Sequence, residues 1–134
     1  MTLSGYLFTL GLLLIGLMAN SKQEPRDLFP GALEMMILES LRRQPAHGYA
    51  LVQHIQQRSN NLLQVEEGSL YPALQRLLRD KLVQAEWSIS ATNRRVRIYQ
   101  ITAAGLKHLE REKSSFEQMF EGIALVLSPG KAVS

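Results

Sequence analysis

The chain has 134 residues, of which 46% are apolar and 20% are charged, a composition that suits one small globular domain. It contains no cysteine, so disulfides and cysteine-ligated zinc are excluded, and we expect a cytoplasmic protein. The formal net charge of +3 is only a mild basic excess. The placement of the cationic residues therefore matters more than their sum.

Residues 5–19 form an apolar run that carries no charge. A membrane-spanning helix needs about 20 apolar residues, and a secretory signal has positive charge before its apolar core, so neither pattern fits well. Three interpretations stay open: a marginal membrane anchor, an uncleaved signal-like segment, or sequence upstream of the true start. We favour the last, with a start at Met18, and assign residues 1–27 to an N-terminal segment and linker.

Three short helical patterns follow. The first begins near Gly31 and ends before Pro45, the second covers residues 47–58, and the third covers residues 69–81. Ser69 is predicted to cap the third helix, and Pro72 then lies in its first turn, where a missing N–H has no helical partner to lose. The apolar positions predicted to face the core are Leu33, Met36, Ile37, Leu38 and Leu41, then Leu51, Val52 and Ile55, then Leu70, Leu74, Leu77 and Leu78.

Two alternating runs come next, over residues 83–89 and 96–102, and a polar loop of residues 90–95 separates them. Period-two alternation on both sides of a short loop predicts a β-hairpin. Thr102 is then placed to cap a long final helix over residues 103–127. The hairpin closes a predicted domain of residues 28–102.

The final helix carries an apolar seam in steps of three and four, interrupted once by Lys113. Such a heptad pattern is typical of helix pairing. A helix this long extends beyond its own small domain, which therefore leaves the far part of the apolar seam exposed. A second copy of the chain is the simplest cover. We therefore predict a homodimer through residues 103–128, with a tail of residues 129–134. The seam consists of Leu106, Leu109, Phe116, Phe120, Ile123 and Leu127.

The predicted fold is mainly α (α+β): three helices, a two-stranded wing and a long C-terminal helix, which is the order of a winged helix–turn–helix. Arg76 and Arg79 are one turn apart on the third helix, and Arg94, Arg95 and Arg97 cluster at the hairpin. If the third helix lies in a DNA major groove, the wing falls beside phosphates or the minor groove. Guanidinium groups suit both places.

Three stretches of the chain resemble PadR-type transcriptional regulators: PGALEMMILESLRRQPAHGYALVQHI at residues 30–55, GSLYPALQRLLRDKLVQAEW at residues 68–87 and NRRVRIYQITAAGLKHL at residues 93–109. The resemblance covers roughly residues 28–128. It implies a dimeric regulator, usually a repressor, that responds to a small-molecule inducer or to stress and has a single C-terminal helix. Asp80 and Lys81 depart from the family pattern, because they stand where a Gly-containing turn is usual.

The resemblance assigns double-stranded DNA as the partner and requires no cofactor and no metal. Together with the charge placement, it predicts contacts to DNA from Ser69, Tyr71, Pro72, Gln75, Arg76, Arg79, Asn93, Arg94, Arg95 and Arg97. Tyr71 has two equally weighted interpretations, since its hydroxyl can bond a phosphate or its ring can pack on the second helix. Trp87 and Tyr99 have two interpretations, the lining of a ligand cavity or a place in the core. We favour the core, with Trp87 as a plug between wing and helices.

The spacing of His47, His54 and His108 does not form a metal set, and we expect His47 to start the second helix. The common sequence signatures of hydrolases, zinc proteases and nucleotide-binding enzymes are missing, so we do not expect an enzyme. Two other classes remain open. One is a winged-helix protein-interaction module, and the other is a membrane-tethered regulator anchored by residues 5–19.

Overall fold

A computed structural model describes residues 31–129 of the chain. The predictions for residues 1–27, including the start at Met18 and the anchor alternative, lie outside this described part. No helix within residues 31–129 is both long and apolar enough to cross a membrane.

The element order is three helices, a hairpin and a long helix, as predicted. The helices are α1 (Ala32–Arg43), α2 (Gly48–Arg58), α3 (Glu67–Arg79) and α4 (Ala103–Leu127), and the strands are β1 (Val83–Ile89) and β2 (Arg95–Ile101). The hairpin and the long final helix begin and end within one residue of the predicted bounds. The chain forms two compact units, of which residues 27–112 form one, and the part of α4 from Lys113 onward belongs to the other.

The core of the first unit is built from the apolar faces of α1, α2 and α3 together with the base of the hairpin. Ile37, Leu51 and Leu74 are almost completely buried at its centre. The helical spacing of these residues places them on one side of each helix, which is why the periodicity predicted the core well. Tyr99 is also buried, as expected, and joins β2 to the same cluster.

Helix α3 begins earlier than the sequence predicted. Glu66 is the N-cap residue and makes no side-chain cap, whereas Glu67 places a negative charge in the first turn, where it favours the helix dipole. The predicted cap at Ser69 is therefore wrong, because Ser69 is the third residue of the helix. Pro72 lies beyond the first turn, so its missing N–H leaves the Gly68 carbonyl without the usual helical donor.

The end of α3 explains why a glycine would suit the turn that follows it. Lys81 has φ 61°, a left-handed conformation in which a side chain is unfavourable. Its N–H donates to the Leu78 carbonyl at 3.0 Å, and the N–H of Leu82 donates to the Leu77 carbonyl at 2.9 Å. This pair of bonds is a Schellman motif. Lys81 therefore replaces the glycine that is usual in the family, but the turn after α3 is still formed.

The two strands pair antiparallel, with Val83 opposite Ile101 at the base and Ile89 opposite Arg95 near the tip. A β-bridge between Ala46 and β2 was not predicted. The N–H of Tyr99 donates to the Ala46 carbonyl at 2.8 Å, and the N–H of Ala46 donates back to the Tyr99 carbonyl at 3.2 Å. This bridge ties the connection between α1 and α2 to β2.

The start of α4 is held against the turn after α3. Thr102 Oγ1 accepts a hydrogen bond from the Gly105 N–H at 3.0 Å, which confirms the predicted cap, and it donates to the Lys81 carbonyl at 2.9 Å. An added Cβ at Gly105 would lie 2.1 Å from the Leu82 carbonyl oxygen. Glycine is therefore required here by close backbone approach, and the base of the wing is fixed to the end of α3.

The structure removes one residue from the predicted dimer seam on α4. Leu109 is 0% exposed and belongs to the core cluster of its own chain, so it is not available to a second chain. Leu106, one turn earlier, remains 40% exposed. Further along the helix, the rings of Phe116 and Phe120 lie against each other with centroids 4.9 Å apart.

Candidate nucleic-acid interface

Helix α3 has one buried and one exposed face. Leu70, Ala73 and Leu77 point into the core, and the helix contacts α1, α2 and β1 with this side. All six candidate residues of α3 lie on the exposed face, which is the arrangement that a recognition helix needs. They are Ser69, Tyr71, Pro72, Gln75, Arg76 and Arg79.

Tyr71 packs on the second helix, which is one of the two interpretations that the sequence left open, and its contact with a phosphate stays a prediction. Its hydroxyl and ring lie so close to Gly48 of α2 that a Cβ there would be 2.7 Å from the hydroxyl oxygen, yet the side chain remains 44% exposed. Burial raises the pKa of the Tyr71 hydroxyl above its ordinary value, and Glu67 raises it further. The hydroxyl therefore stays protonated near neutral pH and can donate a hydrogen bond.

The two arginines of α3 have acidic partners within the chain. The Arg76 guanidinium forms a two-point contact with one carboxylate oxygen of Glu34 in α1, through Nε at 2.8 Å and Nη2 at 2.7 Å. Arg79 Nε lies 3.2 Å from the Asp80 carboxylate. Sequence spacing alone did not reveal the contact between Arg76 and Glu34, because it joins two helices that are far apart along the chain.

A loop of residues 90–94 joins the two strands at the tip of the wing. The Asn93 N–H donates to the Ser90 carbonyl at 2.9 Å, the Ser90 N–H donates to the Arg94 carbonyl at 2.8 Å, and Asn93 has φ 62°. Asparagine tolerates this left-handed conformation better than most residues, so Asn93 has a backbone role in shaping the loop. Arg94 follows directly and is exposed at the tip.

Trp87 is not the core plug that the sequence suggested. It is 56% exposed and lies on the distal half of the hairpin, because the helices cover only the part of this strand face near Val83 and Tyr99. The guanidinium carbon of Arg95 lies 4.5 Å from the Trp87 ring centroid, and that of Arg97 lies 5.8 Å from it. The structure thus brings two of the candidate arginines together around one indole.

The wing arginines differ electrostatically from the arginines of α1 and α3. Arg42 and Arg43 pair with Glu39, and Arg76 and Arg79 pair as described above. By contrast, no ion pair to an acidic side chain within residues 31–129 involves the three wing arginines. Their positive charge is therefore not neutralised locally and is free to attract an anion. These residues are Arg94, Arg95 and Arg97.

One of the three histidines has a structural role at the start of α2. His47 Nδ1 accepts a hydrogen bond from the Ala50 N–H at 3.2 Å, so His47 caps α2, as predicted. Burial lowers the pKa of His54, and the charges of Arg58 and Arg43 lower it further. Across the described part of the chain, no group of three histidine or acidic side chains is placed to hold a metal ion.

Three helices, a two-stranded wing and an exposed face on the third helix define a winged helix–turn–helix domain of the DNA-binding class. Residues 37–111 match the model of the transcriptional regulator PadR-like family, which is more than half of the chain. The chain belongs to the PadR-like family and is a DNA-binding transcriptional regulator.

Solved structures of this family have the same fold. A PadR family regulator from Eggerthella lenta is 29% identical and has a TM-score of 0.65, with 75% of this chain and 86% of that chain covered. A PadR-like regulator from Bacillus cereus is also 29% identical, with a TM-score of 0.64 and coverage of 75% and 96%. The Bacillus subtilis PadR in complex with operator DNA is 18% identical, with a TM-score of 0.54 and coverage of 76% and 51%.

Proposed function

We propose that this protein is a sequence-specific regulator, acting as a repressor, that binds operator DNA as a homodimer. In this proposal α3 lies in the major groove, and the wing lies on the phosphate backbone or in the minor groove. The observation that carries it is the contrast between the paired arginines of α1 and α3 and the three arginines of the wing, which have no acidic partner in the described chain. The operator complex of the Bacillus subtilis relative supports DNA as the ligand.

The two elements have different tasks in this proposal. Phosphate contacts position a protein on DNA without carrying sequence information, whereas side chains that reach base edges read the sequence. The wing arginines suit the first task. Ser69 and Tyr71 are exposed in the first two turns of α3, the part of a recognition helix that approaches base edges, and Gln75 is exposed one turn further along. We assign these three residues to the second task. We assign Arg76 a smaller share, because DNA must compete with Glu34 for its guanidinium.

The test is duplex binding measured over a range of salt concentrations, first on the sites that genome-wide mapping of bound DNA identifies. We expect the logarithm of the affinity to fall linearly with the logarithm of salt, as phosphate neutralisation requires. A winged-helix module that binds only proteins would show no such binding. Membrane fractionation tests the tethered alternative, which full recovery in the soluble fraction would contradict.

Replacing Gln75 with alanine should relax sequence preference. A base contact of this kind discriminates against a wrong base by about 1–3 kcal/mol, so the ratio of operator to random-duplex affinity should fall about 5- to 150-fold, while random-duplex affinity stays the same. Gln84→Ala is the matched control, because Gln84 is an exposed glutamine on β1 that bonds Gln100. An unchanged ratio in Gln75→Ala would remove this residue from the proposed base-reading set.

We assign dimerisation to the remaining seam of α4, formed by Leu106, Phe116, Phe120, Ile123 and Leu127. The heptad spacing and the family resemblance support this assignment. Phe120→Glu should give monomers in analytical ultracentrifugation, because a carboxylate is costly to desolvate in an apolar seam. Gln118→Glu adds the same charge at an exposed position of the same helix and should leave a dimer. A dimer in both variants would contradict the assignment.

The small-molecule inducer that the resemblance implies stays a prediction, and so does the absence of enzymatic activity.

A further inference from the structure

Trp87 is the one tryptophan of the chain. Its surroundings indicate a role other than packing in the core or contacting DNA bases. It lies on the same strand face as Ile89, which is 63% exposed, and directly opposite Arg97 in the antiparallel register. Large aromatic side chains contribute most to stability when they are buried, so a half-exposed indole at this position requires another explanation.

The indole is in contact with the charged side chains of the opposite strand. Arg95 lies over the ring, with 4.5 Å between its guanidinium carbon and the centroid, which is a close cation–π distance. Arg97 lies 5.8 Å from the Trp87 centroid and 5.9 Å from that of Tyr99, so its guanidinium is shared between two rings. Three aromatic contacts therefore hold two wing arginines.

The Nε atom of Arg97 shows that the rings, and not a hydrogen bond from this atom, hold the guanidinium. It is buried, and it has no hydrogen-bond acceptor within the described residues. A carboxylate would orient the guanidinium and also cancel its charge. Aromatic rings orient it while leaving the charge intact, because the attraction comes from the ring quadrupole and not from a net negative charge.

We propose that Trp87 is a positioning residue that holds Arg95 and Arg97 in place for the phosphate backbone of DNA. The proposal rests on the DNA-binding function proposed above and adds how the wing is prepared for it. Fixing long side chains before binding reduces the conformational entropy lost on association. The ligand is the phosphate backbone, so the benefit should be independent of base sequence.

The arrangement itself can be tested without DNA. In the free protein, nuclear magnetic resonance should show the Hε protons of Arg95 and Arg97 shifted by the ring current of Trp87, with assignments from Arg95→Lys and Arg97→Lys. Trp87→Leu should abolish that shift, and Trp87→Phe should keep part of it. If the two Hε signals are the same in wild type and Trp87→Leu, the arginines are not held by the indole and the proposal is overturned.

The functional test is a double-mutant cycle on duplex binding. Trp87→Leu should weaken binding about five- to tenfold per wing, equally on operator and random duplex, and Trp87→Phe should recover most of the loss. In the Arg95→Ala, Arg97→Ala background, Trp87→Leu should have no further effect, because the residues that it positions are gone. Ile89→Ala is the control, an exposed apolar neighbour that should not change affinity.

Each outcome separates the possibilities. A loss that persists in the arginine-free background would mean that Trp87 contacts DNA itself, which overturns the positioning role. Wild-type affinity for Trp87→Leu overturns it as well. The wild-type protein could also show the ring-current shift and yet bind no duplex. In that case Trp87 does hold the two arginines, but both the positioning role in DNA binding and the proposed function are wrong. Melting curves by circular dichroism identify any variant that fails to fold. If Trp87→Leu fails to fold, Trp87→Phe is compared with the wild type in its place.

Discussion

Gly105→Ala is expected to lower the free energy of unfolding by about 3 kcal/mol, at the upper end of the usual cost of overpacking. For a domain of this size, such a loss corresponds to a fall in melting temperature of about 10–20 °C. The measurement is thermal and urea unfolding followed by circular dichroism at one protein concentration, since dimerisation makes stability depend on concentration.

The reason is the close approach of two backbone segments. The new Cβ would lie 2.1 Å from the Leu82 carbonyl oxygen and 2.7 Å from the Ile101 side chain. The side chain can shift, but the carbonyl cannot move without disturbing the hydrogen bond that it accepts from the Thr102 N–H at 3.0 Å. The substitution therefore breaks the connection between the end of α3, the end of β2 and the start of α4.

Gly68→Ala is the matched control. Gly68 is also helical, and apart from its chain neighbours and the backbone of its own helix no atom of the described chain lies within 4 Å of its added Cβ. Alanine favours a helix more than glycine does, so this variant should be as stable as wild type or slightly more stable. If Gly105→Ala unfolds at the same denaturant concentration as Gly68→Ala, the backbone approach at Gly105 is not as tight as described.

Replacing Arg94 and Arg95 together with alanine should weaken binding to every duplex by at least about tenfold at moderate salt, or about 1.4 kcal/mol. Each lost phosphate contact should also lower the slope of log affinity against log salt by about one, so the double variant loses about two per protomer. Fluorescence anisotropy of labelled operator and random duplexes measures both quantities. The loss should be the same on the two duplexes, in contrast to the effect of Gln75→Ala.

The control for this charge change is Arg42→Ala with Arg43→Ala. These two arginines are also adjacent, but they lie at the end of α1 and both pair with Glu39. The control removes the same formal charge from a different surface, so it should keep most of the affinity and the slope. Equal losses in the two double variants would mean that net charge and not the wing determines binding, and the proposed docking would be wrong.

The fold could largely be predicted because each main element has a local signal. The buried faces of α1, α2 and α3 repeat at helical spacing, and the hairpin alternates with period two. Thr102 could be recognised as a cap because its hydroxyl needs only the first turn of its own helix. These signals depend on residues within one or two turns of each other, and such short-range relations are visible in a sequence.

The errors share the opposite cause. Leu109 fits a heptad seam by spacing, but its burial comes from the core cluster that it joins, whose other members lie earlier in the chain. Trp87 fits a core strand by type, but whether it is covered depends on how far the helices extend along the hairpin. The partner of Arg76 is Glu34, 42 residues away. Tertiary packing determines all three, and a single sequence does not encode it in any local pattern.

The bridge between Ala46 and Tyr99 has a consequence for solubility. A two-stranded ribbon has two outer edges with unpaired backbone groups, and such edges invite pairing with other molecules. The Ala46 bridge occupies the base of the β2 edge, next to Tyr99, and the rest of that strand carries Arg95 and Arg97, whose charges repel an approaching copy. The same side chains that we assign to DNA would thus also discourage wings of different molecules from joining into aggregates.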